Sequence, residues 1–84
     1  MSDLTYFDDP KVWEFEQRLR LCGVDPRTYS LEGGTPDSAN CLDHTAAGRW
    51  TVYFSERGER RSERSYEELD EALDDLARVL NIAW

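Results

Sequence analysis

The residues that could take part in chemistry are few, and their spacing keeps them apart. The single histidine, His44, follows Asp43 in a segment typical of a short strand. Neighbouring strand residues point to opposite faces, so Asp43 cannot orient the His44 ring, and Cys41, three residues earlier, also points away from it. Because acid–base or nucleophilic catalysis needs such groups side by side, we predict that the chain is not an enzyme.

The two cysteines lack the spacing of a metal site or of a disulfide framework. A structural zinc ion takes about four ligands. Cys22, Cys41 and His44 supply three, and Cys22 has no close partner in sequence. We therefore expect two reduced, buried thiols and no metal. Gly33 and Gly34 lack the lysine and the Ser/Thr of a phosphate-binding loop, so we expect a flexible connector and no cofactor.

A first helix is predicted over residues 10–22. Asp9 suits the N-cap, Pro10 the first turn, and Gly23 the left-handed position that ends a helix. Trp13 and Leu21 fall off its apolar stripe and need a second contact, either within the protein or with a partner. The stripe itself repeats at helical spacing and consists of Val12, Phe15, Leu19 and Cys22.

Three strands are predicted to follow as an antiparallel meander. Residues 40–44 form the first, residues 49–55 the second, and the polar residues 59–65 fit only an edge strand. The second strand alternates between an apolar face, with Trp50, Val52 and Phe54, and a polar face, with Thr51, Tyr53 and Ser55. The polar face is too hydrophilic for a second core, so we expect water or a partner to cover it.

A last, amphipathic helix is predicted to run to about Asn81 and to cover one face of the sheet. Two positions are possible for the start of this helix. Ser65 and Glu68 have the spacing of a capping box, or Tyr66 ends the strand and the helix begins one turn later. The apolar side of this helix carries Leu69, Ala72, Leu73, Leu76, Val79, Leu80 and Ala83. Its outer side is acidic and carries Glu67, Glu68, Asp70, Glu71, Asp74 and Asp75.

The chain is thus predicted to be one small α+β domain of 84 residues, with residues 1–8 as a loosely attached lead-in. Its net charge is −8, which disfavours binding to nucleic acid or anionic membranes. No apolar run is long enough to span a membrane and no secretory signal is present, so we expect a cytoplasmic protein.

One local cluster departs from this acidic balance. It consists of Arg57, Arg60, Arg61 and Arg64, with glutamates interleaved among them. The glutamates favour internal ion pairing on an edge strand over binding to RNA.

Residues 50–58 read W-T-V-Y-F-S-E-R-G, and Tyr66 and the pair Glu71-Ala72 follow. This pattern resembles small bacterial immunity-type proteins encoded beside secreted polymorphic toxins, which often read W-x-V-Y-[YF]-S-E-R-G and then F-x-[ST]-E-x-E-A. The resemblance covers about residues 33–80. It departs where Glu68 stands in place of the Ser/Thr helix cap and Leu69 in place of the first helical glutamate.

The resemblance implies an inhibitor without catalysis, which binds a cognate toxin domain in the same cell and blocks its active site or substrate access. A toxin with a basic cleft suits an acidic binding protein. The predicted contact residues are aromatic anchors ringed by acids, namely Trp13, Tyr53, Glu67, Asp70, Glu71 and Asp74. Two alternatives remain: Trp13 packs under the N-terminal segment, and the chain is a homo-oligomeric regulatory or scaffold module that pairs through its edge strand or Tyr53.

Overall fold

The computed structural model describes residues 9–45 and 47–84, so the expected lead-in at residues 1–8 lies outside the described part. The fold is α+β, with two helices and a four-stranded mixed sheet. The helices are α1 (Pro10–Leu21) and α2 (Leu69–Leu80), and a 3-10 turn spans Pro26–Thr28. The strands are β1 (Tyr29–Ser30), β2 (Ala39–His44), β3 (Trp50–Glu56) and β4 (Glu59–Tyr66). None of the helices in the described part is long and apolar enough to cross a membrane.

Helix α1 begins and ends as its sequence predicts. The Asp9 carboxylate accepts a hydrogen bond from the Lys11 backbone N–H at 2.9 Å, and Gly23 takes a φ of +75° after the last turn. The prediction of a buried Cys22 is wrong: its side chain is exposed. The helix ends at Leu21, so Cys22 falls in the closing turn, and Val24 packs against the core instead.

The sheet contains the predicted antiparallel meander and one strand more. The strand order is β1-β2-β3-β4, with β2, β3 and β4 antiparallel. β1 pairs in parallel with β2 through Tyr29↔Asn40 and Ser30↔Cys41, so the prediction of three strands is incomplete. A strand of two residues is too short to show any periodicity, and the 3-10 turn just before it brings it to the sheet edge.

A tight hairpin and a bulge set the register between β3 and β4. Arg57 and Gly58 both have positive φ, which is the geometry of a two-residue hairpin turn. Ser62 has a φ of +57° where the register shifts, so β4 carries an extra residue opposite Tyr53. The bulge leaves Arg64 opposite Val52, on the face that packs against α2.

Both helices pack on one face of the sheet and form the core with it. The later start of α2 is confirmed: Glu68 is the N-cap and Tyr66 is the last residue of β4. Trp50 and Val52 are buried as predicted, whereas Phe54 is only half-buried. The core consists of Val12, Phe15, Leu19, Tyr29, Leu31, Leu42, Trp50, Val52, Leu69, Ala72, Leu73, Leu76 and Ala77.

The other face of the sheet is covered by the chain itself, which corrects the expectation of water or a partner there. Thr51, Tyr53 and Ser55 are all buried, and Tyr53 forms a small second cluster with Ala39 and Cys41. The Tyr53 hydroxyl donates a hydrogen bond to the Gly34 carbonyl at 2.7 Å. The segment around Gly34 is therefore attached to the sheet and is not a free connector.

Candidate interaction surfaces

The residues with catalytic potential stay apart in the structure. Cys41 is buried on the second face of the sheet, where burial raises the pKa of its thiol. His44 stacks flat on Trp50, with ring centroids 4.0 Å apart and planes inclined by 7°. Across residues 9–45 and 47–84, no group of three or more His, Cys, Asp or Glu is placed to hold a metal ion. Two features stand out on the surface of the described residues.

The first feature is an acidic surface at the start and on the outer side of α2. It is defined here by five exposed residues, Glu67, Glu68, Asp70, Glu71 and Asp74. Asp70 and Glu71 lie in the first turn, where the helix dipole favours negative charge, so part of the cluster also stabilises the helix. Asp74 lies in the next turn, and its charge has no such local role.

Ion pairs within the described residues involve two of the five carboxylates of the acidic surface. Asp70 pairs with the Lys11 ammonium at 2.9 Å, and this hydrogen bond and charge raise the pKa of Lys11. Glu67 approaches Arg49 at 3.5 Å. Both pairs are exposed and contribute little to stability. The remaining three carboxylates form no ion pair within the described residues.

Asp75, predicted to lie on the outer side of α2, is in fact buried, and this corrects the prediction. Its carboxylate accepts hydrogen bonds from Arg64 Nε at 2.8 Å and from the Tyr66 hydroxyl at 2.7 Å, and it also contacts the Arg78 guanidinium. Burial alone would raise the pKa of Asp75. The hydrogen bonds and the positive charges outweigh burial and hold the pKa below its ordinary value of 3.8.

The arginines of β4 are largely neutralised, as predicted from the interleaved glutamates. Arg60 pairs with Asp43 at 2.9 Å and with Glu63 at 3.4 Å. Arg61 lies between Glu56 and Glu59, each at about 3.5 Å. Since Arg64 is bound to Asp75, this strand does not present a continuous basic surface to a nucleic acid.

Tyr53 lies beneath Arg60 of β4 and has no exposed surface for a partner. The Arg60 guanidinium stands over the Tyr53 ring, 4.2 Å from its centroid. Burial, together with the neighbouring Cys41, raises the pKa of Tyr53 well above its ordinary value, so the hydroxyl stays protonated as the donor to Gly34. The prediction of Tyr53 as a contact residue therefore does not fit where the structure places it.

The second feature is a shallow groove of about 330 Å³ along the exposed side of α1, called here the α1 groove. Trp13 is 56% exposed, Leu21 is 84% exposed and Trp84 is 42% exposed. Such grouped large apolar side chains on a surface mark interaction sites. The groove is lined by Trp13, Glu14, Gln17, Arg18, Leu21 and Trp84.

The α1 groove and the acidic surface lie on different sides of α1. Lys11 reaches Asp70, so its side of the helix faces α2. Two residues along an α-helix turn the side chain by about 200°, which points Trp13 away from α2. The structure therefore brings four predicted contact residues together, Glu67, Asp70, Glu71 and Asp74, and separates them from Trp13.

Sequence reasoning missed Trp84, which lines the α1 groove together with Trp13. The Trp84 ring meets the edge of the buried Phe15 ring at 4.9 Å, which anchors the C-terminus against α1. Nothing in the spacing of residues 81–84 indicates this contact. The one signal in the sequence for the groove is that Trp13 and Leu21 fall off the apolar stripe of α1.

Comparison with known proteins adds no relative to this description: no family model, no curated protein and no solved structure matches the chain.

Proposed function

We propose that this chain is an immunity protein that binds a cognate bacterial toxin domain in the cytoplasm and blocks its active site or substrate path. The observation that carries the proposal is the acidic surface on α2, where five carboxylates are exposed and three of them form no ion pair within the described residues. Such a surface attracts a basic protein cleft and speeds encounter with it. The proposal also rests on the resemblance of residues 50–58 to immunity-type proteins.

The residues that carry this resemblance have structural roles. Trp50 and Val52 belong to the core, Tyr53 holds the loop at Gly34, and Arg57-Gly58 forms the hairpin turn. A shared scaffold of this kind leaves the choice of partner to the surface residues. The acidic surface on α2 is the one that we assign to the toxin.

Co-expression with the toxin domain encoded next to this gene tests the proposal. We expect cells that make both proteins to survive and cells that make the toxin with an empty vector to die. Survival no better than with the empty vector contradicts the proposal.

A pair of matched double variants tests the surface. Glu71→Gln/Asp74→Asn removes two charges from the acidic surface, and Glu32→Gln/Asp37→Asn removes two exposed charges elsewhere. Since both variants change the net charge equally, from −8 to −6, a specific surface predicts an association rate about ten-fold lower for the first variant only. Equal rates for both variants would show that the toxin binds elsewhere.

A further inference from the structure

The α1 groove is lined by two parallel rows of side chains. Trp13, Gln17 and Leu21 follow one another at four-residue intervals, and Glu14 and Arg18 form the row beside them. Rows at this spacing are the ridges with which one α-helix packs into the grooves of another. The side of α1 that faces away from the core therefore has the pattern of a helix–helix interface, including exposed apolar residues at both ends.

The charges along this side complement a second copy of the same helix. Glu14 stands one turn before Arg18, and neither forms an ion pair with any residue in the described part of the chain. When two such helices cross head to tail about a two-fold axis, the acidic end of each lies on the basic end of the other.

The rest of the molecule does not favour self-association. The net charge of −8 and the acidic surface on α2 make two copies repel each other over most approaches. Helix α1 is an exception, because it carries three basic residues, Lys11, Arg18 and Arg20, against two acidic ones, Glu14 and Glu16. Strand β4 has the same balance of charge, but of these two elements only α1 exposes large apolar side chains. A second copy thus meets little repulsion at the place where apolar side chains are exposed.

We propose that two copies of this chain form a two-fold symmetric dimer in which the α1 grooves face each other. An axis close to Gln17 places Trp13 and Glu14 of one copy over the last turn of α1 in the other. Since both helices present rows at four-residue spacing, the expected crossing angle is about −50°. The acidic surface lies on the far side of α1 and stays open, so the dimer does not depend on the proposed toxin binding.

Sedimentation equilibrium of the full chain, from micromolar to millimolar concentration, tests the dimer. We expect a reversible rise from the monomer mass of 9.8 kDa to twice that mass. Glu14→Arg or Arg18→Glu alone places like charges across the axis and should raise the Kd at least about ten-fold. The double variant Glu14→Arg/Arg18→Glu reverses both ends and should restore the dimer, which a merely structural role of these residues would not produce.

A matched control separates this contact from the overall charge. Glu32→Arg changes an exposed residue outside the groove, and it raises the net charge by the same two units as Glu14→Arg. Relief of general repulsion would tighten the dimer in both variants. Only a specific contact makes Glu14→Arg weaken it while Glu32→Arg does not. If a reversal variant fails to fold, Gln17→Lys brings two like charges together at the axis and should weaken the dimer similarly.

Nuclear magnetic resonance identifies the surface directly. With rising concentration, the indole N–H signals of Trp13 and Trp84 should move, and that of the buried Trp50 should not. A monomer at millimolar concentration overturns the proposal, as does a dimer insensitive to Glu14→Arg and Arg18→Glu. A monomer in which Trp13 becomes accessible to a quencher only after deletion of residues 1–8 also overturns it, because the chain's own N-terminal segment would then occupy the groove.

Discussion

Asp75 links α2 to the edge of the sheet through a single buried carboxylate. Its donors Arg64 and Tyr66 both lie at the end of β4, and Arg78 closes the site from the next turn of the helix. A buried charge is tolerated only when such partners surround it. The β4 bulge helps to create this site, because the shifted register leaves Arg64 facing α2.

Asp75→Asn removes the charge and should destabilise the fold. The Arg64 guanidinium is then left half-buried without its counter-charge, and the expected loss in the free energy of unfolding is about 3 kcal/mol. Urea denaturation measures it. The control Asp74→Asn makes the same change at the exposed neighbour and should stay within about 0.5 kcal/mol of the unsubstituted chain. Equal effects of the two variants would contradict the role assigned to Asp75.

The same carboxylate should make the fold sensitive to acid. The pKa of Asp75 is lowered in the folded chain, so its contribution to stability is fully present above the unfolded pKa and is lost as pH falls through the folded pKa. The free energy of unfolding should therefore drop as pH falls from about 5 towards 2. In Asp75→Asn this acid-side slope should be smaller. An unchanged slope in that variant would show that other carboxylates cause the acid sensitivity.

Helical periodicity alone could not predict the position of Asp75. The sequence shows six acids on and before α2, and helical spacing predicts all six on its outer side. Which flank of the helix meets β4 depends on the bulge at Ser62, which has no signature in a row of polar residues. The burial of Tyr53 escaped prediction for a similar reason, since it depends on where the loop around Gly34 crosses the sheet.

At the level of elements, the start of α2 is formed without a side-chain cap. Glu68 occupies the N-cap position in an extended conformation, but its side chain accepts no hydrogen bond from the first turn. Its carboxylate stands one carbon farther out than that of aspartate, a preferred N-cap residue. The helix is held by its apolar side, which the sequence predicts well. A better N-cap residue at position 68 would stabilise its first turn further.

Glu68→Asp should therefore stabilise the protein by about 0.5–1 kcal/mol. The shorter carboxylate can accept a hydrogen bond from a free backbone N–H of the first turn, and the charge is unchanged. Thermal unfolding followed by circular dichroism measures the gain. Glu67→Asp, one residue earlier, serves as the control and should leave the midpoint unchanged. If both variants have the same midpoint of thermal unfolding, the free N–H groups of the first turn are already satisfied by water.

At the same level, the accuracy of prediction follows the length of each element. The meander and both helices have apolar residues at regular spacing, and this spacing predicts the bounds of each to within a few residues. β1 has two residues, Tyr29 and Ser30, and it exists because the 3-10 turn delivers it beside β2. No local pattern encodes such a pairing, so only the folded chain reveals that the sheet is mixed.

The whole molecule has two buried layers of unequal size. The larger core lies between the helices and the sheet, and the smaller cluster of Ala39, Cys41 and Tyr53 lies under the loop on the opposite face. The two cysteines report on this arrangement, because Cys22 is exposed at the end of α1 and Cys41 is completely buried in the smaller cluster.

Thiol labelling with a disulfide reagent should therefore show one fast and one slow cysteine. Cys22 should react at once, whereas Cys41 should react at least about a thousand-fold more slowly, since it must wait for the structure to open. In the Cys22→Ser variant only Cys41 can react. If the loop and the core open together, the logarithm of its labelling rate should rise with urea concentration as steeply as the free energy of global unfolding falls. Tyr53→Phe removes the hydrogen bond to Gly34. It should speed labelling by no more than the factor that corresponds to its measured loss in the free energy of unfolding. A larger acceleration, or a Cys41 as reactive as Cys22, would mean that the loop opens on its own while the helices stay packed.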